Sequence, residues 1–383
     1  MGISAVLYTI AIMGCIANLR SARDKNAINT VVLICMLLVC ASVASGYDTE
    51  NLIAMYSVRR AGNTQQFSTN FFASTAAYMA MMDFFSALGV RNFGLFKLIT
   101  TLMVAPLAVF SLKRTSVRLS FVLLFYLLFS FWIDVTQPRT MLAMILFVFG
   151  SKYLLLAKAR FAVLKYLFVI AVCTMLHITF AYFFVFAVLF IENKRIRDMI
   201  VKFFTISAIA VYVYLFVGGG VGLLFRLAEQ YNMEKLIGYL QYRTRFGSLY
   251  PLVIYVITLT VSYYCYFAVK NRLSTSESTI KDAPMARVLE TALNINLLLA
   301  WTMPICVITL SAMRLVRINY IITLIAVWCF LSSPSVEKKR KVLVIGALLL
   351  LSFFFLYMEN AFLKQTDDII LSTLRASPLW IFQ

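Results

Sequence analysis

The sequence predicts an all-α, polytopic membrane protein of about twelve transmembrane helices, with one further external helix that is re-entrant or interfacial. Three observations carry this prediction. The 383-residue chain is 62% hydrophobic and only 13% charged. Apolar runs of roughly 15 to 20 residues recur along its whole length, close to the ~20 residues a helix needs to cross a ~30 Å hydrocarbon core. Neither the amphipathic period of a soluble domain nor the alternating ~10-residue pattern of a barrel is present. One internally hydrogen-bonded helix per crossing is then the natural solution. No internal repeat, low-complexity tract or soluble domain interrupts the pattern, so residues 1–383 read as a single integral membrane domain.

In chain order the expected spans are 2–18, 28–45, 93–111, 119–134, 140–157, 161–176, 178–192, 203–218, 250–269, 288–310, 318–333 and 342–358. Residues 71–88 are also apolar, but they carry Asp83 and several small polar side chains. Counting them as a span would invert every later loop, so they are read as the re-entrant or surface-lying helix. No basic residue precedes the first apolar run, whereas Arg20, Arg23 and Lys25 follow it. That order predicts a retained first span with its N-terminus outside, not a cleaved signal peptide. The loop 270–287, with Ser274-Thr275-Ser276-Glu277-Ser278-Thr279, reads as a flexible cytoplasmic connector.

The formal net charge of +19 would suggest a nucleic-acid partner in a soluble protein. Here it is first a topology signal, and no nucleic acid is expected. With the N-terminus outside, 22 of the 35 basic residues fall in inner loops or the adjoining inner ends of spans, and every such group holds at least three. All seven cysteines lie inside apolar runs, where they act as small hydrophobes; neither a disulfide framework nor a metal-ligand spacing is present.

The expected external segments are 46–92, 134–140, 218–250, 311–317 and 359–383; they hold twelve of the other thirteen basic residues, and Lys97 lies near the outer end of span 93–111. Ten of the thirteen are arginine, including Arg59, Arg60, Arg139, Arg243, Arg245, Arg314 and Arg317. Topology does not require arginine over lysine, whereas bidentate recognition of phosphate or carboxylate does, because the planar guanidinium presents paired donors. Snorkelling to lipid headgroups fits single residues near span ends such as Arg91 and Arg375. It fits the close pairs Arg243/Arg245 and Arg314/Arg317 poorly. The polar turn Asp134-Val135-Thr136-Gln137-Pro138-Arg139-Thr140 sets Arg139 between two apolar runs. A guanidinium at the bilayer centre costs about 2.5–3.5 kcal/mol, so Arg139 reaches an interface or has an anionic partner.

Segment 218–250 has apolar residues at the spacing of a helix lying in the interface, with Tyr231, Tyr239 and Tyr242 beside Arg243 and Arg245. Those rings are belt anchors or, alternatively, sugar-stacking contacts. His177, the one histidine, is either a general base or a structural cap at the turn between two spans. Acids on the same side include Asp48, Glu50, Asp83 and Asp134, and they form no spaced metal-ligand set. Walker A, Gly-x-Ser-x-Gly and His-x-x-x-x-Asp patterns are all absent.

The order of these features resembles the EpsG-type, Wzy-like polymerases of bacterial exopolysaccharide, capsule and O-antigen. The matching residues are Gly46-Tyr47-Asp48 with Tyr56, then Leu88-Gly89 closing an external helix. Arg139-Thr140-Met141-Leu142-Ala143 opens a span, His177-Ile178-Thr179 follows, and Arg317-Ile318-Asn319-Tyr320 enters a late one. Two positions depart from the family: Thr140 stands where it has glutamine, and Ser74-Thr75 where it has Glu-Pro.

The resemblance implies polymerisation of polyprenyl-diphosphate-linked oligosaccharides at the outer face of the cytoplasmic membrane. The donor carries its own leaving group, so neither cofactor nor metal is expected. Arg139, with Arg314 or Arg317 and Arg243 or Arg245, would hold the diphosphate, with Arg59 and Arg60 as further candidates. His177 or Asp48 would be the base, and one displacement would invert the anomeric centre. Expected partners are lipid-linked glycans, membrane lipids, and a flippase and chain-length regulator of the same pathway. A flippase or transporter of the same lipid, a polysaccharide O-acyltransferase and a non-catalytic scaffold are the competing classes. The first should show repeat symmetry and mid-membrane ionisable residues. The second needs an intramembrane histidine and a cytosolic acyl donor.

Overall fold

The apolar runs become helices, and among the described residues every regular element is helical. The structure is a computed structural model that describes residues 2–44, 47–60, 76–115, 117–156, 161–218, 220–231, 233–241, 246–273, 282–334, 336–362 and 375. They divide into two compact units, one of residues 1–182 with 348–383, the other of residues 183–347.

The first unit opens with an antiparallel pair, α1 (Ile3–Arg20) and α2 (Asn26–Ser42). Asn18 donates to Asn29 Oδ1 at 2.9 Å near the turn, and Ser4 and Ser42 hydroxyls meet at 2.9 Å at the far end. Two shorter helices follow, α3 (Tyr47–Arg60) and α4 (Ala76–Ala87). Twelve residues of α4 reach only ~18 Å, too short to cross alone; Phe71 to Thr75 of the expected helix lie outside the described residues. Next come α5 (Phe93–Arg114), α6 (Leu119–Phe129), the single turn α7 (Phe131–Asp134), α8 (Pro138–Leu156) and α9 (Ala162–Leu176). Helix α8 packs between α5 and α9. Asp24 closes the α1–α2 turn against α6, accepting from Leu119 N at 2.8 Å and pairing with Arg118 at 3.4 Å.

A 13-residue 3₁₀ helix, Ile178–Phe190, leads into the second unit. That unit holds α10 (Lys194–Val217), α11 (Val221–Gln230), α12 (Glu234–Gln241), α13 (Leu249–Leu273), α14 (Asp282–Leu298), α15 (Thr302–Ile308) and α16 (Met313–Ser332). Gly218, at φ 100°, ends α10 in the left-handed conformation that glycine adopts without strain. Helices α13, α14 and α16 share a buried polar cluster. Asn319 Nδ2 donates to Asn296 Oδ1 at 2.9 Å, and Asn296 Nδ2 donates to Ser262 at 2.9 Å and Thr323 at 3.2 Å. The last helix, α17 (Lys338–Phe362), returns to the first unit, where Phe355 meets Phe129 with ring centroids 4.3 Å apart.

Each of the twelve apolar segments holds a helix, and among the described residues eight helices are long and apolar enough to cross a membrane. The other four, Asn26–Ser42, Leu119–Phe129, Ala162–Leu176 and Ile178–Phe190, are shorter. Among the described residues, length and composition thus show eight spans and do not confirm the expected count of twelve. Helix α6 illustrates the reason: it stops at Ser130, and α7 adds only one turn before the Asp134 bend.

Candidate functional site

The polar turn after α7 is built by short-range hydrogen bonds. Gln137 N donates to Asp134 O at 3.0 Å, and the Thr136 hydroxyl to Ile133 O at 2.8 Å. Pro138 then starts α8, where its missing N–H costs nothing. Helix α3 is tied onto this turn by buried Thr49, whose hydroxyl donates to Thr136 O at 2.9 Å. That anchor brings Asp48 opposite Arg139, with Oδ1 and Nη2 3.9 Å apart. The separation exceeds the ~3.2 Å limit of an N–H···O hydrogen bond, so the pair attracts without locking. The Arg139 and Asp48 side chains are 22% and 19% exposed, and Arg139 makes no hydrogen bond with a described residue. Its donors are open to a ligand.

Helix α9 runs back to the same end. Cys173 Sγ lies 3.3 Å from Ala143 O. Arg139 is four residues before Ala143, and His177 is four residues after Cys173. In an antiparallel helix pair this sets both one turn beyond the contact, at one end of the hairpin. His177 is buried as the C-cap of α9, and its Nδ1 accepts from Thr179 N at 3.3 Å. In a neutral imidazole that leaves the ring proton on Nε2.

Other expected residues of this unit have partners. Arg59 Nη1 is ion-paired with Asp83 Oδ2 of α4, and Arg60 donates to Arg91 O at 3.2 Å. Tyr56 donates to Val90 O at 2.6 Å and packs on Phe96 at 5.2 Å. Together these contacts strap α3 to the turn between α4 and α5.

Three side chains at this end carry little sequence signal. Lys97, 1% exposed, donates from Nζ to Val43 O at 2.9 Å, just past the last residue of α2. A cation there satisfies an open carbonyl and suits the helix dipole. The sequence places Lys97 among the external cations but gives it no task. Tyr78 of α4 is buried against Phe96, edge-on at 5.5 Å, with no hydrogen bond from its hydroxyl to any described residue. Thr140 Oγ1, next to Arg139, is likewise buried and without such a partner.

A family model described as the EpsG family matches residues 5–366, nearly the whole chain. The chain belongs to the EpsG family. The comparison finds no match among curated proteins and none among solved structures. Membership points to polysaccharide biosynthesis by a polymerase of glycosyltransferase type, and the eight apolar helices make this EpsG-family chain a multi-pass membrane protein.

In the second unit, Arg314 is half-buried and Arg317 buried, both on α16. Tyr231 is exposed at the end of α11, and Tyr239 lies on α12. Tyr242, Arg243 and Arg245 lie outside the described residues. The structure thus brings together Asp48 and Arg139 directly, and His177 at the same end of the α8–α9 hairpin.

Proposed function

We propose that this EpsG-family chain polymerises polyprenyl-diphosphate-linked oligosaccharide repeat units at the outer face of the bacterial cytoplasmic membrane. Arg139 carries the reading: a partly exposed guanidinium with no hydrogen bond to a described residue, facing a carboxylate at 3.9 Å. It stands in the first turn of α8, where the helix dipole disfavours a cation by roughly 0.3–1 kcal/mol. An anion bound there reverses that sign. A diphosphate matches the paired donors of the guanidinium. The density of basic residues in the opposite loops supports placing this end outside, with α4 as the re-entrant or surface helix.

The step is an inverting displacement. A hydroxyl of the incoming unit attacks the anomeric carbon of the growing chain, and its proton passes to Asp48. The carbon–oxygen bond to the diphosphate breaks, and the electron pair leaves with the lipid diphosphate. Arg139 stabilises the charge that develops there. We assign Asp48 as the base, with His177, whose Nδ1 accepts from Thr179 N, as the other candidate. Arg60 is a further diphosphate contact in this reading. No metal or cofactor enters the step, and a flippase and chain-length regulator would supply and limit it.

The test is the glycan profile of cells carrying Arg139→Lys, with insertion verified. Expected is a fall in polymerisation on the order of 10²-fold, with single repeat units accumulating on lipid or at the surface. Unchanged chain length overturns the assignment. Lipid-linked units trapped on the inner leaflet would instead mark a flippase.

A further inference from the structure

Three enclosed tyrosine hydroxyls in this chain have backbone acceptors. Tyr8 donates to Leu127 O at 2.9 Å, Tyr56 to Val90 O at 2.6 Å and Tyr255 to Asn296 O at 3.0 Å. Tyr78 differs from them: it is 1% exposed and its hydroxyl has no hydrogen-bond partner among the described residues. A buried phenol usually finds a partner, because leaving one unsatisfied costs free energy.

Its surroundings indicate what is missing. The ring is fixed edge-on against Phe96, and Phe96 stacks on Tyr56 of α3, the helix that carries Asp48. Phe96 precedes Lys97, whose Nζ donates to Val43 O at the end of α2, three residues past Cys40. Cys40 Sγ in turn touches Met141 Sδ at 3.5 Å, two residues beyond Arg139. Burial raises the phenol pKa well above its ordinary value, so the group is a donor and not a phenolate. A phenol O–H without an acceptor and a guanidinium without a hydrogen bond to a described residue thus lie on helices joined at one end of this unit, and neither is bonded to the other. What both need is an acceptor with more than one anionic oxygen.

We propose that the Tyr78 hydroxyl is a second donor of the Arg139 centre and hydrogen-bonds a non-bridging oxygen of the lipid-linked diphosphate. The inference rests on the polymerase reading of that site and names a contact that reading did not contain. Tyr78 would hold the leaving group beside Arg139 while α4 supplies the wall behind it.

The experiment measures binding of farnesyl diphosphate and of inorganic diphosphate to the detergent-solubilised full chain, as wild type, Tyr78→Phe and Arg139→Lys. Melting temperatures of the unliganded proteins are recorded alongside. Phenylalanine keeps the packing on Phe96 and removes only an unsatisfied hydroxyl. The unliganded melting temperature of Tyr78→Phe should therefore equal or exceed that of wild type, while both probes bind roughly tenfold more weakly. A lower melting temperature with unchanged binding marks a structural hydroxyl and overturns the proposal. Loss with farnesyl diphosphate alone puts the hydroxyl against the lipid tail and also overturns it. Arg139→Lys separates the two readings. If it weakens binding and Tyr78→Phe does not, only the Tyr78 contact falls; if neither does, the Arg139 site falls with it.

Discussion

Two arginines from the same external set meet carboxylates in opposite ways. Arg139 faces Asp48 at 3.9 Å, both partly exposed, and such a pair contributes only about 0–1 kcal/mol to stability. Asp48→Asn keeps the size of the side chain and should lower polymerisation by something like 10²-fold, the scale of losing a general base, in a protein that still folds. Arg59 is buried, and Asp83 is its carboxylate partner. Asp83→Ala should destabilise the solubilised protein by on the order of 1–3 kcal/mol, because it strands a buried cation. Its effect on chain length should be the smaller one at permissive temperature. Thermal melts and glycan profiles of the two variants check this pair of expectations. At this scale the sequence separates arginine from lysine and picks out Arg139 and Asp48 by motif order. It holds no sign that Arg59 turns to Asp83, 24 residues on, nor that His177 Nδ1 accepts from Thr179. Which partner a side chain meets depends on how helices pack.

Helix α8 carries Arg139 and α9 carries His177, so the packing of these two helices sets the site. Gly150 makes that packing close: a Cβ there would lie 2.9 Å from Val169 Cγ1 and 3.3 Å from its Cβ. Alanine in a helix interior gains roughly 0.5–1 kcal/mol over glycine. Overpacking costs about 1–3 kcal/mol, and β-branched Val169 has no free rotamer to yield. Gly150→Ala should lower the melting temperature and reduce activity by displacing the His177 end. Gly150→Ala with Val169→Ala should recover the melting temperature, and comparing single and double variants checks it. The 3₁₀ helix Ile178–Phe190 shows the other limit of reading elements from sequence. As an α-helix its 13 residues would reach ~20 Å, whereas at ~2.0 Å per residue they reach ~26 Å. A continuous apolar run has no period that distinguishes the two, so the segment is legible as helical and apolar but not in its pitch.

For the whole molecule, the basic-residue asymmetry predicts an orientation that the native cysteines make easy to measure. All seven are buried, so one introduced at an exposed site gives a clean signal. Gln230 at the end of α11 and Ala22 in the α1–α2 turn are both exposed. A membrane-impermeant maleimide should label Gln230→Cys in intact protoplasts, and Ala22→Cys only after lysis. The reverse pattern would invert the proposed orientation and move Arg139 to the cytoplasm. The sequence by itself determined the all-helical membrane class, the positions of twelve apolar segments, the charge asymmetry and the family. Each of these depends on the hydrophobicity and charge of residues near one another in the chain. Only the tertiary structure decided that Asp48 faces Arg139, that eight helices have the length of spans, and that Tyr78 sits buried without an acceptor among the described residues. Those features come from contacts across tens to about a hundred residues, and in a bilayer nearly every face of a helix is apolar, so hydrophobic pattern alone does not say which face meets which.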